Sequence, residues 1–534
     1  MRNKLIISAL LFLSACLLSI PWLLPHSGLV LLIAFFPLLL AEELALQLKI
    51  KRFALYHYGC FVLWNAFTTF WVCNATVGGG LFAIFANAFQ MSLIFGLFHY
   101  SRRKLGGVLP YILLAAAWVA WERFYHSAEI SWPWLTLGNA FAGTTTLVQW
   151  YEWTGAIGGS LWVWLANLGL YGLFITLSTG SCHSWTKLAK ICSVAALTLL
   201  IFGPIALSLM LYHREEDKGE EIEVLIGQPN LDPYHKFESM SQAQQTELLL
   251  SIYESELKAE DSLLIIAPET FTSDIVIGDI HSSPTVQRFS EFLSKYPGSE
   301  LLFGASTYSI VREESAPSPL ARPYGGAWLE SHNSALLMDS RDSIQLHQKS
   351  KLVVAVEQTP YPKIFVPLEN FICQTFGLQG PLMGRCVGAE SPTVLQYRDS
   401  IPFGCAVCYE SIYGEYCSEY VRKGARFLTV ITNDAWWGDT PGYRQHCNYS
   451  RLRAIETRRD IARCGNTGIS CIINSKGDIV TSGPWWEEFV MRSKLQIHDK
   501  ETLFVRHGDL CGRVCTLVFL LMLLLLVAKM VKRS

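Results

Sequence analysis

Apolar runs of near-bilayer length fill the first two-fifths of the chain. They cover residues 5–24, 29–46, 54–73, 81–100, 108–125, 157–176 and 191–211, with one more at 514–528. Most approach the roughly 20 residues that a helix needs to cross the hydrocarbon of a bilayer. The last is shorter, but Cys511 extends it, and Arg513 and Lys529 can snorkel. The pattern predicts eight spans. Between the seventh and the eighth the period changes. Short apolar runs at 222–226, 262–267, 301–305, 327–338, 343–354, 401–407, 427–432 and 464–473 read as strands. Stretches at 239–258, 286–296, 411–423 and 443–459 have helical spacing. Strands alternating with helices predict a layered α/β sandwich. The expected organisation is a seven-span domain at 1–212, an α/β domain at 213–508, and a last span with its tail at 509–534.

Charge orients these segments. Lys and Arg cluster at Arg2 and Lys4, at Lys49, Lys51 and Arg52, at Arg102, Arg103 and Lys104, at Lys187 and Lys190, and at Lys532 and Arg533. These clusters fall at alternate ends of the eight spans, and the short loops 25–27 and 74–80 carry no Lys or Arg. By the positive-inside rule both termini are cytoplasmic. The α/β domain is then outside, in the periplasm of a bacterial inner-membrane protein. Leu13-Ser14-Ala15-Cys16 has the look of a lipoprotein processing site, but the chain stays apolar through Leu24, as a membrane span does and a cleaved signal does not.

Composition agrees. Hydrophobic residues make up 51% of the chain and charged ones only 16%, which points to a membrane protein with a soluble part. The net charge of -2, with no basic stripe, gives no sign of a nucleic-acid partner. The 15 cysteines are scattered through membrane and soluble segments and form no small disulfide framework.

The candidate chemistry centres on Cys408, at the end of the 401–407 run and just before the helical stretch. A helix amino terminus lowers a thiol's pKa and offers free N–H groups. Glu269 follows the run ending at Ala267, and Lys349 lies in His347-Gln348-Lys349-Ser350. Each has a plain alternative: a buried structural cysteine, a capping carboxylate, a solvated ammonium. Spacing alone does not bring them together. Cys405 and Cys408 form a C-x-x-C, open to a redox reading, but no thioredoxin-like βαβ unit surrounds it. No Cys/His set has zinc spacing, so no metal or other cofactor is expected. Trp132 and Trp134 suit an interfacial anchor.

Glu269, Lys349 and Cys408, in this order on such strands, resemble the Glu-Lys-Cys triad of the nitrilase (carbon–nitrogen hydrolase) superfamily. The surrounding spans, with Gln228-Pro229-Asn230, Cys408-Tyr409-Glu410, Asn433-Asp434-Ala435-Trp436-Trp437, Asn466-Thr467-Gly468-Ile469-Ser470 and the Trp132–Gly138 loop, resemble its apolipoprotein N-acyltransferase branch. That resemblance implies an αββα catalytic domain. It implies transfer of the sn-1 acyl chain of a phospholipid, typically phosphatidylethanolamine, to the α-amine of the diacylglyceryl cysteine of an apolipoprotein. Cys408 would be the nucleophile, Glu269 the general base and acid, and Lys349 with the Tyr409 N–H the oxyanion donors. Glu357 would orient Lys349, and Tyr409, Glu410 and Phe237 would support the site. The chain departs from the family at Phe237 and Ala267, where Trp is usual. It also has Leu352-Val353-Val354-Ala355-Val356-Glu357 where Leu-Val-Pro-Phe-Gly-Glu is common.

Residues 360–383 are rich in aromatic and apolar side chains and read as a flexible arm that dips toward lipid, through Tyr361, Phe365, Phe371, Phe376 and Leu382. Trp436 and Trp437 are further lipid-contact candidates. Two other readings compete: a membrane-tethered amidase with the same triad, and a transporter with a periplasmic domain. Asn65, Asn87, Gln90 and Asn167 form no inverted repeat of the kind a transporter predicts. Cys373 and Cys386 are left open as a bridge.

Overall fold

The computed structural model describes residues 2–180, 186–214, 219–233 and 240–531. Every expected membrane run forms helix. Among the described residues, six helices have at least 18 residues and the hydropathy to cross a membrane: Arg2–Leu23, Gly28–Gln47, Val77–Ser101, Tyr151–Ser178, Lys187–Tyr212 and Leu510–Val531. The other two expected runs also form helix, each one residue short of that length. Phe53–Thr69 and Leu109–Tyr125 have 17 residues each, about 25 Å of helix, at the short end of what crosses the hydrocarbon. Exposed side chains such as Phe12, Phe82, Phe89, Leu199, Phe202 and Leu521 form the apolar exterior of these helices.

The second run is not one continuous helix. Gly28–Val30 is a 3-10 turn, Leu31–Ala34 is one α turn, and Phe36–Gln47 restarts with Pro37 in its first turn. Backbone groups freed inside apolar surroundings need partners. Asn167, fully buried on the Tyr151–Ser178 helix, supplies them. Its Oδ1 accepts from Phe35 N at 2.9 Å and its Nδ2 donates to Leu31 O at 2.9 Å. Glu42 and Glu43, at the basic end of this helix, accept from Arg102 at 3.1 and 2.6 Å.

The α/β part contains β1 (Glu221–Gln228), β2 (Leu264–Ile266), β3 (Thr272–Val276), β4 (Glu300–Val311), β5 (Arg322–Tyr324), β6 (Ala327–Met338) and β7 (Ile344–Gln348). It continues with β8 (Val394–Tyr397), β9 (Ile401–Val407), β10 (Phe427–Thr432), β11 (Ile461–Gly465), β12 (Cys471–Ile473), β13 (Ile479–Ser482) and β14 (Phe489–Gln496). One sheet runs β14-β1-β2-β4-β6-β5, with β3 beside β4 and β7 beside β6; the other runs β13-β12-β11-β10-β9-β8. The centre of each is parallel: β1, β2 and β4 in the first, β9, β10 and β11 in the second.

Side-chain alternation decides which layer each face joins. On β2, Leu264 and Ile266 face the second sheet, meeting Phe403, Cys405, Val407 and Ile431 in the sandwich core. Ile265 points the other way, onto the Gln242–Glu254 and Pro284–Ser294 helices. Ala406, Leu428 and Val430, on the outer face of the second sheet, share one apolar cluster with the Pro441–Thr457 helix and the membrane helices. The result is an αββα sandwich whose last helical layer rests on the membrane part.

Three expected elements differ. The run 464–473 is two strands, since Asn466 to Ser470 leave the ladder and β12 returns antiparallel to β11. The extended stretch 343–354 ends at Gln348, where the chain turns to present Lys349. The helix expected at 411–423 is split into a 3-10 turn, Cys408–Ile412, and the helix Gly414–Arg422.

The Pro441–Thr457 helix carries the junction. Gln445 Nε2 donates to Trp22 O (3.0 Å) and Thr68 O (3.2 Å), while its Oε1 accepts from Trp134 Nε1 (2.7 Å). Tyr449 OH accepts from Trp22 Nε1 at 3.0 Å and donates to Trp134 O at 2.7 Å. Gly155, at φ 63°, interrupts the Tyr151–Ser178 helix, and Glu456 Oε1 accepts from the Ala156 N–H beside it at 2.8 Å. The same carboxylate pairs with the buried Arg453, at 2.8 and 2.9 Å. Glu456→Ala strands a buried guanidinium and an amide together. It should destabilise the protein by about 3–5 kcal/mol, read as a lowered denaturation midpoint in detergent, with Glu456→Gln losing less. An unchanged midpoint for the alanine variant contradicts this account of the junction.

Candidate active site

Glu269, Lys349 and Cys408 converge where the parallel strands of both sheets end. Glu269 sits three residues past β2, in a turn with Thr270 at φ 46°. Gly304 makes room for that turn: a Cβ there would lie 2.6 Å from the Glu269 Cα. Lys349 follows β7, its N–H bonded to Asn333 O of β6 at 2.8 Å. Its ammonium donates to Glu269 Oε1 and to Glu357 Oε1, each at 3.0 Å. Asn333 Nδ2 donates to the same two oxygens at 2.8 and 2.7 Å. Asn433 N, just past β10, reaches Glu269 Oε2 at 3.1 Å. Glu357 Oε2 in turn accepts from Val353 N at 2.7 Å. The interval from Lys349 to Glu357 thus closes a loop despite its divergent sequence.

Cys408 is the first residue after β9 and adopts φ 50°, a left-handed conformation uncommon outside Gly, Asn and Asp. It is half-buried, with the charges of Glu269 and Lys349 and the Thr432 hydroxyl acting on its thiol. Glu410 is fully buried and points away from the sulfur. It accepts from Val407 N at 2.8 Å, Ser350 N at 2.6 Å and Tyr416 OH at 2.5 Å, so one carboxylate ties the β9 end to the Lys349 loop. Tyr409 OH donates to Ser131 O at 3.1 Å, and Trp132 stacks on its ring at 6.2 Å. Trp132 and Trp134 are therefore packed between the membrane helices and the sandwich, which replaces the expected interfacial anchor. Trp71, unremarked in the sequence, completes this aromatic wall, 4.6 Å from Trp437 and 4.9 Å from Trp134.

The remaining candidates separate. The 360–383 arm is not irregular, because Pro362–Phe376 forms a helix. Tyr361, Phe371, Phe376 and Leu382 are exposed on it and Phe365 is half-buried. Trp436 is exposed, whereas Trp437 packs into the aromatic wall. Phe237 lies outside the described residues. Cys373, Cys386, Cys405 and Cys408 are all free thiols, with Cys405 inside the sandwich core.

One cluster has the ligand types of a metal site. Donor atoms of Cys408, Asp434 and His446 lie within 4.8 Å of one another. Asp434 already accepts from Thr432 Oγ1 at 2.6 Å and from the buried Arg463 at 2.5 Å. A guanidinium in the cluster disfavours a further cation.

The electrostatics correct one expectation. The thiol of Cys408 is pushed well above the ordinary range, by burial first and then by the Glu269 carboxylate, with Lys349 opposing. The 3-10 turn that replaces the expected helix start has no long dipole to offset this. Burial alone would push Lys349 down, but Glu269 and Glu357 outweigh it and hold the ammonium charged. Glu410 stays below its usual range because His347 and the hydrogen bonds to Tyr416 and Val407 overcome burial.

Residues 231–501 match the carbon–nitrogen hydrolase family, half of the chain. The chain belongs to that family, the nitrilase superfamily. Residues 14–169 match the apolipoprotein N-acyltransferase N-terminal domain, and within the superfamily the protein is an N-acyltransferase. It is 28% identical over 489 residues to the apolipoprotein N-acyltransferase of Chlorobaculum tepidum, covering 90% of this chain and 89% of that one. It is 27% identical to the enzyme of the same name from Geobacter metallireducens, over 77% of this chain and 73% of that one. Among solved structures it is similar to Saccharomyces cerevisiae Nit3 (15% identity, TM-score 0.37, covering 53% of this chain and 92% of that one). It is also similar to a Nesterenkonia amidase (16% identity, TM-score 0.36, 56% and 98%).

A thiol raised by burial and a neighbouring carboxylate should react accordingly. Alkylation of Cys408 by iodoacetamide, followed by peptide mass analysis, should still be rising with pH where an ordinary thiol has levelled off. Glu269→Gln, which removes the opposing charge, should move the midpoint down. A wild-type profile that plateaus near neutrality contradicts the assignment.

Proposed function

We propose that the protein transfers the sn-1 acyl chain of a phospholipid such as phosphatidylethanolamine to the α-amine of the diacylglyceryl cysteine of apolipoproteins. It would do so through a thioester on Cys408. Glu269 takes the thiol proton as sulfur attacks the ester carbonyl. Lys349 and the Tyr409 N–H stabilise the tetrahedral oxyanion. The C–O bond breaks, and Glu269 returns the proton to the leaving lysophospholipid alcohol. In the second half the amine attacks the thioester, Glu269 receives its proton, the C–S bond breaks, and the proton goes back to sulfur. Glu357 orients Lys349, and Glu410 fixes the loop bearing it. The division into 1–212, 213–508 and 509–534 serves this chemistry, since each substrate carries acyl chains worth about 0.8 kcal/mol per buried CH₂. Tyr361, Phe365, Phe371, Phe376 and Trp436 are the lipid-contacting side chains.

The single observation that carries this reading is the Lys349 ammonium held 3.0 Å from both Glu269 and Glu357, beside a thiol whose neighbour Tyr409 stacks on a membrane-loop tryptophan. It supports acyl-transfer chemistry carried out against the membrane part rather than far from it.

The periplasmic orientation has its own support. The sandwich docks on Trp22, Thr68 and Asn74, at the helix ends remote from Arg2, Arg52 and Arg102. Both termini are then cytoplasmic.

Purified protein given phosphatidylethanolamine and a diacylglyceryl peptide should yield triacylated peptide. Phospholipid alone should leave an acyl adduct on Cys408, and Cys408→Ala should abolish both. Amide hydrolysis without acylation would instead identify a tethered amidase, and an adduct confined to another cysteine would overturn the assignment. Reporter fusions at Glu221 should be active only outside the inner membrane, and those at Ser534 only inside; a cytoplasmic Glu221 defeats the orientation.

A further inference from the structure

We propose that His446 is a positioning residue for acyl transfer, which fixes the Cys408–Tyr409 peptide and thereby aims the Tyr409 N–H at the oxyanion. This rests on Cys408 being the nucleophile.

The carbonyl of Cys408 has two partners. Ser411 Oγ donates to it at 2.7 Å, and His446 Nε2 lies 3.1 Å from it. Nε2 also lies 3.0 Å from Ser411 Oγ, whose proton goes to the carbonyl; both oxygens are then acceptors, so Nε2 faces them as an N–H. On the other side of the ring, Nδ1 is 2.9 Å from Asp434 Oδ1. Asp434 is locked in turn by Thr432 Oγ1 at 2.6 Å and by Arg463 at 2.5 Å. Burial would raise the Asp434 carboxyl, but His446 and Arg463 outweigh it and keep it ionised. His446, Asp434, Arg463 and Ser411 are all buried. Trp134 and Trp437 lie against the imidazole at 5.9 and 5.5 Å. Asp434 after β10 and Arg463 in β11 thus hold His446, on the Pro441–Thr457 helix, against that oxygen.

That oxygen matters because of peptide geometry. In a planar trans peptide the C=O and the following N–H point in opposite directions. Holding the Cys408 carbonyl toward His446 therefore directs the Tyr409 N–H to the opposite side. It also holds Cys408 in its left-handed conformation, which needs support from its surroundings. A histidine that merely satisfied the core would need partners, but it would not need the carbonyl of the residue that bears the nucleophile.

The test separates oxyanion stabilisation from thiol reactivity. Alkylation by iodoacetamide passes through no oxyanion, whereas acyl transfer does. His446→Leu should lower kcat about 10²–10³-fold, the cost of one oxyanion donor. KM for phosphatidylethanolamine and the rate of Cys408 alkylation should stay near wild type. His446→Gln, whose Nε2 can still reach the carbonyl, should recover much of the loss; His446→Asn, too short to reach, should not. Wild-type kcat in His446→Leu overturns the proposal. So does a parallel fall in acylation and alkylation, which marks a general collapse of the site. If the leucine variant does not fold, the glutamine and asparagine pair decides alone, and equal activities in those two overturn it. Acyl transfer surviving in Cys408→Ala would instead remove the parent reading, whatever the His446 variants do.

Discussion

The position of the site depends on one shared helix. Pro441–Thr457 is at once the outer layer of the second sheet and part of the apolar cluster of the membrane helices. Its Gln445 and Tyr449 take up backbone and indole groups at the ends of the Arg2–Leu23 and Phe53–Thr69 helices and in the tryptophan loop. Its Glu456 takes up an amide freed by a break in another helix. Each of these is a buried polar group that would otherwise lack a partner, and such groups are costly to strand. The sandwich is therefore not tethered by a linker but seated, and every strand end in the second sheet inherits that fixed height.

The same economy of partners runs through the site. One ammonium, Lys349, lies between two carboxylates, and Asn333 bridges the same two oxygens. Buried charge of this kind is tolerated only when nearly every lone pair is met. Glu410 performs the equivalent task one layer deeper, where its oxygens collect amides from two separate segments. The charges near the thiol are thus held by backbone, not by flexible side chains alone. Preorganisation of this sort is what acyl transfer through a tetrahedral intermediate requires.

Much of this was legible in the chain. Parallel central strands, buried on both faces, leave short apolar runs, and these located β1, β2, β4, β9 and β10. The polar residues at their carboxyl ends then marked Glu269 and Cys408. What escaped had physical reasons. Asn333 and His347 are single polar residues on strands, and nothing in their spacing reveals which face they join. Trp132 and Trp134 carry the signature of a lipid interface, yet the sandwich sits where the headgroups would be. The direction of the Cys408 pKa shift followed from enclosure by distant segments, which local sequence does not encode.

A sulfur kept protonated at rest has a consequence outside its own reaction. Thiol–disulfide exchange and peroxide attack both proceed through the thiolate. In an oxidising compartment a permanently ionised cysteine at a half-open site would be steadily lost to mixed disulfides and sulfenic acid. Cys408 is shielded from that fate by burial first and by Glu269 second, which together suppress the anion. Enclosure and the carboxylate together thus act as a preservative for the sulfur.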